Sequence, residues 1–165
     1  MPLIWGIHFI RNHKIKDIIS EKILYIWSSL FICNLAALIL KIILGRARPI
    51  MYILEQNYGF YWLQLDSNFW SMPSGHSTTI FALFLSFWCL YSYYSRIFIV
   101  LAVLVAASRI FLMKHYLSDV LFAILIDVVL LYCINRMIYK KKYLPKLIKY
   151  IESKPIFLAR FLFLK

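Results

Sequence analysis

The chain has 165 residues, of which 63% are hydrophobic and 16% charged, and its mean hydropathy of +0.75 is well above that of a water-soluble domain. The formal net charge of +12 arises from basic residues near the two ends: nine Lys and Arg in residues 136–165, four in 11–22 and none in 49–76. This pattern follows the positive-inside rule for a membrane protein. It favours cytoplasmic anchoring near anionic lipid and argues against nucleic-acid binding.

Residues 1–22 are predicted to form a basic cytoplasmic head. The apolar run at residues 1–10 is followed by charge and lacks a small-residue cleavage site, so it is not expected to be a cleaved signal peptide. Ten helical residues reach only about 15 Å, roughly half of a bilayer core. This run is therefore interpreted as the possible stub of a preceding helix.

Four apolar runs follow, at residues 23–44, 77–94, 97–113 and about 117–138. Runs of this length in hydrocarbon are helical, because every backbone polar group must be paired within its own segment. The sequence predicts an all-α, multi-pass transmembrane helical bundle with about four spans, which form one catalytic domain at residues 23–138. Four antiparallel spans leave both termini in the cytoplasm, together with a short connection at Ser95 and Arg96. Residues 45–76 and 114–116 then lie on the outer side.

The long outer loop is rich in aromatic residues, which suits a segment lying against lipid headgroups more than direct substrate contact. The tail at residues 139–165 is predicted to be a basic cytoplasmic segment, with an amphipathic surface helix broken near Pro155. The cysteines at positions 33, 89 and 133 lie inside apolar runs without metal-ligand spacing, so they are interpreted as packing residues.

Several polar residues lie in or at the ends of the apolar runs, where a charge costs on the order of 3 kcal/mol and indicates a functional site. Four groups stand out: Lys41 with Arg46 and Arg48, His76, Ser108 with Arg109, and His115 with Asp119. Taken singly, Lys41 could snorkel to the interface and Arg109 could be a helix-end anchor. Because the spans alternate in direction, however, all four groups are expected at the same membrane face.

The chemistry of these residues indicates a phosphate site. Lys41, Arg48 and Arg109 supply fixed positive charge, and guanidinium groups bind phosphate oxygens in a bidentate way. Ser74 and Gly75 precede a predicted helix whose first N–H groups form an anion cradle.

Two histidines add catalytic groups to this site. His115 and Asp119 are four residues apart, so on a helix the carboxylate could hold one ring nitrogen protonated, leaving the other as nucleophile or base. His76 is then available to protonate a leaving oxygen.

The sequence predicts neither a metal nor a cofactor in the reaction. It contains no carboxylate cluster suited to Mg²⁺, and the remaining histidines, His8 and His13, belong to the cytoplasmic head. Asp127 lies two turns deeper than Asp119 in the fourth run. It is interpreted as a buried residue bonded to a neighbouring helix in preference to part of a polar path.

These residues resemble three motifs of the type 2 phosphatidic acid phosphatase superfamily, whose fold is shared with vanadium haloperoxidases. The first motif, Lys, six residues, then Arg-Pro, is met by Lys41 and by Arg48-Pro49. The second, Pro-Ser-Gly-His, is residues 73–76. The third, Ser-Arg, five residues, His, three residues, Asp, is met by Ser108-Arg109, His115 and Asp119.

The resemblance implies a role for each matching residue. Phosphate would be bound by five of them: Lys41, Arg48, Ser74, Gly75 and Arg109. His115 would attack phosphorus to form a phosphohistidine, Asp119 would orient His115, and His76 would protonate the leaving group. Three further residues, Arg46, Ser108 and Lys114, are secondary candidates. Of these, Lys114 could favour a diphosphate, because it adds a positive charge next to His115.

The chain departs from the family pattern at two points. Leu117 stands where many members have proline after the His-Tyr pair, and the sequence shows four spans where the family core usually has six. The chain is therefore expected to be a PAP2-like bundle with two fewer helices than usual, either shortened or with a misassigned start.

The sequence thus predicts a phosphatase of the cell (inner) membrane, with its active site on the outer or periplasmic face. Its substrate would be undecaprenyl diphosphate, phosphatidylglycerol phosphate, phosphatidic acid or a lipid A phosphate. A non-catalytic protein that binds phosphate-bearing lipids is the alternative, although a binder would need only the cations. A vanadium haloperoxidase is disfavoured, because those enzymes are larger and soluble.

Overall fold

The computed structural model of the chain describes residues 18–91 and 95–152, with side chains from 97 onward in the second range. The apolar run at 1–10 and Pro155 lie outside the described residues. Within them the chain forms six α-helices and one 3₁₀ turn at Ser67–Phe69: α1 Ile18–Leu44, α2 Pro49–Glu55, α3 Gly75–Leu90, α4 Ser95–Phe111, α5 Leu117–Lys141 and α6 Pro145–Glu152. The prediction of an all-α membrane bundle is confirmed.

The helices differ in length. α1 and α5, with 27 and 25 residues, are long and apolar enough to cross a bilayer. α3 and α4, with 16 and 17 residues, are apolar but extend only about 25 Å, less than a hydrocarbon core of about 30 Å. Ser95 and Arg96 are predicted to form a connection between two spans, but the structure places both residues in α4, which begins at Ser95.

α3 is the central helix, since it packs against α1, α4 and α5. The side chains that it buries are small at several positions, including Ser77, Thr78 and Ala82. The buried face of α1 repeats every four residues and is also mostly small, with Ser29, Cys33 and Ala37 following Tyr25. Small residues let helix backbones approach closely, which is how helices associate where lipid supplies no hydrophobic drive.

α6 packs on the bundle end that lies opposite Lys41. Leu147 is fully buried there with Tyr25 and Leu90, and the main-chain N–H of Leu147 donates to Glu21 Oε2 at 2.8 Å. Lys22 Nζ lies 3.6 Å from the ring centre of Tyr150. The first part of the predicted tail is therefore packed against the bundle.

The loop after α1 folds back along the end of that helix. Gly45 has φ +53°, and a Cβ there would lie 2.9 Å from the main-chain nitrogen of Trp62. The N–H of Tyr61 donates to the Gly45 carbonyl at 3.0 Å, and the N–H of Leu63 donates to Ile43 at 3.0 Å. Since only glycine fits this conformation and this close approach, Gly45 fixes where Arg46 and Arg48 leave the helix.

Candidate functional site

Lys41 lies in the last turn of α1, where α3 begins beside it. Its ammonium donates to the Trp70 carbonyl at 2.9 Å. A Cβ built on Gly75 would lie 3.5 Å from Lys41 Cε and 3.9 Å from Nζ, so the lysine runs across the first turn of α3. The cation therefore lies beside the helix N-terminus that the sequence predicts as an anion cradle.

Arg48 is held at the start of α2 by the loop that follows it. Its Nε donates to the Ser67 carbonyl at 3.1 Å, and its main-chain N–H donates to Asn68 at 3.2 Å. Partial burial lowers the pKa of Arg48 from its ordinary value, but a guanidinium stays charged at neutral pH. Pro49, directly after it, starts the helix without needing an N–H donor.

Ser74 is the N-cap residue of α3 and is fully buried. Its hydroxyl accepts a hydrogen bond from Ser77 Oγ at 2.9 Å and does not cap the helix. The N–H of Ser74 donates to the main-chain carbonyl of Asp119 at 3.2 Å. This bond joins the start of α3 to the first turn of α5, where the other predicted catalytic residues lie.

His76 is exposed and lies just before the second predicted span. Its pKa is lowered from 6.5 by partial burial and then by four neighbouring groups: Arg109, His115, Lys41 and Arg48. A cationic neighbour lowers a histidine pKa because it opposes a second positive charge. These neighbours come from four separate segments of the chain, and all lie close enough to His76 to act on its charge.

His115 is 5% exposed and is held by a main-chain group. Its Nδ1 lies 2.7 Å from the Ser71 carbonyl oxygen, which only accepts, so Nδ1 carries the proton and donates. The distance from Nδ1 to Asp119 Oδ2 is 3.8 Å, too long for a hydrogen bond. The direct bond expected from helical spacing is absent because Tyr116 is an extended N-cap residue, which leaves His115 outside α5.

Asp119 is fully buried and has three other partners. Oδ1 accepts from Arg46 Nη1 at 2.5 Å, and Oδ2 accepts from Ser71 Oγ at 2.5 Å and from the N–H of Tyr116 at 2.8 Å. The last bond satisfies a donor at the N-terminus of α5, where a negative charge is also favoured by the helix dipole. Asp119 therefore contacts His115 mainly through Ser71.

Arg46, which the sequence offers as a secondary phosphate-binding candidate, is directed into the protein, where its guanidinium binds other side chains. Besides Asp119, its Nη1 donates to Ser118 Oγ at 2.7 Å. The guanidinium carbon lies 4.4 Å from the ring centre of Tyr116 and 5.4 Å from that of Phe60. With its side chain 11% exposed, Arg46 is largely buried and is paired with Asp119.

The residues at the end of α4 mainly shape the turn to His115. The Arg109 carbonyl accepts from the N–H groups of Lys114 and His115 at 3.1 and 3.3 Å. Ser108 Oγ donates to the Val105 carbonyl at 2.7 Å and accepts from Arg109 Nε at 3.2 Å, so it is a local helix-end residue. Lys114, the third secondary candidate, is exposed.

Ser71 is the site residue that sequence reasoning missed. It lies in the stretch 49–76, which contains no Lys or Arg, and only its position two residues before Pro73 connects it to a motif. The segment at residues 45–76 contributes contacts to the site, since the Trp70 carbonyl accepts from Lys41 and Trp70 Nε1 donates to the Gln64 carbonyl at 2.8 Å. Tyr58 and Trp62 of this segment are 64% and 58% exposed.

Two other predictions concern metal ligands and Asp127. The described residues contain no group of three or more His, Cys, Asp or Glu side chains that could hold a metal ion. Asp127 is fully buried and its carboxyl group faces the Cys33 thiol of the neighbouring helix α1, although within the described part of the chain neither carboxylate oxygen has a partner at ordinary hydrogen-bond geometry. Cys33 and Cys89 are buried and Cys133 is exposed, all as free thiols.

Comparison with known proteins gives a family and two relatives. The family model of the PAP2 superfamily matches residues 22–143. Lipid A 1-phosphatases of Rhizobium etli and Rhizobium johnstonii are 35% and 36% identical over 97 residues, which are 59% of this chain. The aligned region spans 42% and 40% of the lengths of these two relatives. No solved structure matches the chain.

Proposed function

Because the chain belongs to the PAP2 superfamily, we propose that it is an integral membrane phosphatase that hydrolyses a lipid phosphate or diphosphate through a phosphohistidine. One observation carries the proposal: His115, Lys41, Arg48 and Arg109, from separate segments of the chain, all lie close enough to His76 to lower its pKa. A protein that only bound phosphate would need the cations alone. The two histidines add a nucleophile and an acid, which are groups that catalysis requires.

In this proposal Lys41, Arg48 and Arg109 bind the phosphate oxygens, together with the N-terminus of α3 at Ser74 and Gly75. The position of Lys41 supports this assignment, because its ammonium would lie 3.9 Å from a Cβ built on Gly75, in the first turn of α3. Fixed cations and N–H dipoles stabilise the charge that develops on the transferring phosphoryl group.

The proposed reaction has two steps. Nε2 of His115 forms a bond to phosphorus while the bond from phosphorus to the lipid oxygen breaks, and His76 gives its proton to that oxygen. Water then attacks the phosphohistidine and loses a proton to His76, which releases inorganic phosphate and restores both histidines. Each step is general acid–base catalysis with a covalent intermediate. No metal takes part in this scheme.

The lipid A 1-phosphatases that the chain resembles support a lipid A 1-phosphate as the first substrate to test. Undecaprenyl diphosphate, phosphatidylglycerol phosphate and phosphatidic acid also present phosphate at headgroup depth. The exposed ammonium of Lys114, next to His115, would lie on the side of a second phosphate if the substrate is a diphosphate.

We further propose that the protein resides in the cell (inner) membrane with this site on the outer or periplasmic face. The support is the distribution of charge, because both basic ends belong to the side opposite the site if the apolar helices alternate across the bilayer. An accessibility experiment tests this: a cysteine placed at exposed Lys114 in a cysteine-free variant should react with an impermeant maleimide in intact cells.

The activity is tested by phosphate release from the four lipids in detergent micelles, with wild type and His115→Ala side by side. Wild type should release phosphate from at least one lipid, and His115→Ala should lose about 10³-fold or more, as enzymes do when a nucleophile is removed. Radiolabelled substrate should label wild type through an acid-labile, alkali-stable bond. Lipid binding without turnover would instead indicate the non-catalytic alternative, and a His115→Ala variant with most of its activity would refute the mechanism.

A further inference from the structure

The hydrogen bonds that lead from Arg46 to His115 form a continuous chain. Arg46 Nη1 donates to Asp119 Oδ1, Ser71 Oγ donates to Asp119 Oδ2, and His115 Nδ1 donates to the carbonyl oxygen of the same Ser71. From this geometry we infer that Arg46 and Ser71 are positioning residues: Arg46 holds Asp119, Asp119 holds Ser71, and the Ser71 carbonyl sets the orientation and tautomer of His115. The inference rests on the proposed function, in which His115 is the nucleophile.

The burial of these groups explains why the chain of contacts matters. Ser71 and Asp119 are both 0% exposed, so bulk water does not solvate the carboxylate. A buried charge must be paired and hydrogen-bonded, and Arg46 supplies a cation at 2.5 Å. With its charge paired, Asp119 can hold Ser71 Oγ in place, which fixes the main-chain carbonyl that accepts from His115.

Arg46 is poorly placed to bind phosphate itself. Its Nη1 is shared between Asp119 and Ser118, and Tyr116 lies against its guanidinium. Its side chain is only 11% exposed. Arg46 therefore acts on the reaction through other residues, unlike Arg48, although both belong to the same short segment of sequence.

The Ser71 carbonyl imposes a definite state on the imidazole. An acceptor at Nδ1 keeps the proton on that nitrogen, so the lone pair stays on Nε2. If Ser71 moves, His115 can rotate and can exchange tautomers. The expected consequence is a loss of turnover with little change in phosphate affinity.

The test measures kcat and KM for the most active lipid, together with vanadate inhibition. Arg46→Ala and Ser71→Ala should each lower kcat about 10- to 100-fold, the usual effect of removing an outer partner of a site residue. The KM and the vanadate inhibition constant should change less than threefold. Arg46→Lys, which keeps a cation near Asp119, should recover part of the kcat lost in Arg46→Ala.

Ser118→Ala is the matched control, because it removes the hydroxyl that accepts from Arg46 Nη1 and leaves the contact between Arg46 and Asp119 intact. Its kcat should stay within about twofold of wild type. A second readout needs no turnover: nitrogen NMR of labelled histidine should show His115 with the proton on Nδ1 in wild type and a mixture of tautomers in Ser71→Ala. This readout also covers variants with reduced stability, provided they are folded at the temperature of measurement.

Two results would overturn the inference. If the kcat of Arg46→Ala and Ser71→Ala equals that of wild type, the contacts play no positioning role. If instead vanadate affinity falls while kcat is kept, Arg46 is a phosphate ligand. Both results leave the proposed function intact, whereas an active His115→Ala variant removes the function itself.

Discussion

The main-chain N–H of Leu147 donates to the carboxylate of Glu21 across 126 positions of sequence, at a distance of 2.8 Å. This bond joins the last described helix, α6, to the first, α1. The side chain of Leu147 is fully buried in the same contact, so the C-terminal helix is part of the bundle core at the end away from the site.

Leu147→Ala is expected to destabilise the bundle by about 2–5 kcal/mol, because it removes a buried leucine and leaves a cavity. Thermal unfolding in detergent micelles, followed by circular dichroism, measures this loss. Lys146→Ala, at the exposed neighbouring position, is the control and should unfold like wild type. Equal unfolding of the two variants would mean that α6 does not contribute to the core.

Gly45→Ala is expected to destabilise the loop that carries Arg46 and Arg48. The left-handed conformation costs an alanine about 1–2 kcal/mol, and the added Cβ would lie 2.9 Å from the main chain of Trp62. Gly75→Ala is the control for stability, since its Cβ would meet Lys41 at an ordinary 3.5 Å. Limited proteolysis of the segment at residues 45–76 measures the effect, and equal cleavage rates for both variants would contradict it.

Arg48→Lys should lower kcat/KM about tenfold or more, although the charge is kept. A lysine provides a point charge in place of the planar fork that binds two phosphate oxygens, and it cannot reproduce the Nε bond to the Ser67 carbonyl. Steady-state kinetics on the most active lipid measure this change. Arg136→Lys, exposed at the far end of the bundle, should leave kcat/KM unchanged. Equal kinetics for Arg48→Lys and wild type would exclude a bidentate contact.

The surroundings of His76 predict the pH dependence of the reaction. Partial burial and the neighbouring Arg109, His115, Lys41 and Arg48 lower the pKa of His76 below 6.5 in the free protein. As the proposed acid, His76 must carry a proton, and its protonated fraction falls as pH rises through this lowered pKa. The alkaline limb of kcat/KM should therefore begin below pH 6.5.

Bound phosphate should reverse this shift, because an anion among the cations favours protonated His76. Histidine NMR with and without vanadate measures both states, with the His76 signal assigned from a His76→Asn variant. The pKa should rise when vanadate binds. A pKa near 6.5 that does not respond to vanadate would place His76 away from the phosphate.

Activity should survive EDTA, because the groups that neutralise phosphate in the proposed site are side-chain cations. Lys41, Arg48 and Arg109 supply this charge, and they would repel a divalent metal held beside them. Phosphate release is measured after chelation and dialysis, with a Mg²⁺-dependent phosphatase as the positive control. Loss of activity that Mg²⁺ restores would contradict the metal-free scheme.

The sequence predicted the helical class and the gathering of polar residues at one end of the bundle. Both follow from patterns written along the chain: long apolar runs for the helices, and rare charges at alternate run ends for the site. Lys41, Arg48 and Arg109 could be predicted as site residues in this way because a charge in an apolar run or at its end requires a reason.

The contacts around His115 could not be predicted in the same way. Spacing of four residues suggested a direct bond to Asp119, but α5 begins only at Leu117, and helix boundaries are the least certain part of a sequence prediction. The true partner is a carbonyl of Ser71, and every residue has a carbonyl. The type of a side chain does not indicate whether its main-chain carbonyl accepts a hydrogen bond, so only the three-dimensional structure could reveal this partner.

The same carbonyl makes the covalent intermediate chemically specific. Since Nδ1 of His115 is engaged as a donor, the proposed phosphoryl group can attach only to Nε2, which gives the isomer called 3-phosphohistidine. The two isomers of phosphohistidine are separable after alkaline digestion and are distinguished by isomer-specific antibodies. The isomer found in the trapped protein would thus show which imidazole nitrogen of His115 faced the phosphorus atom when the phosphorus–nitrogen bond formed.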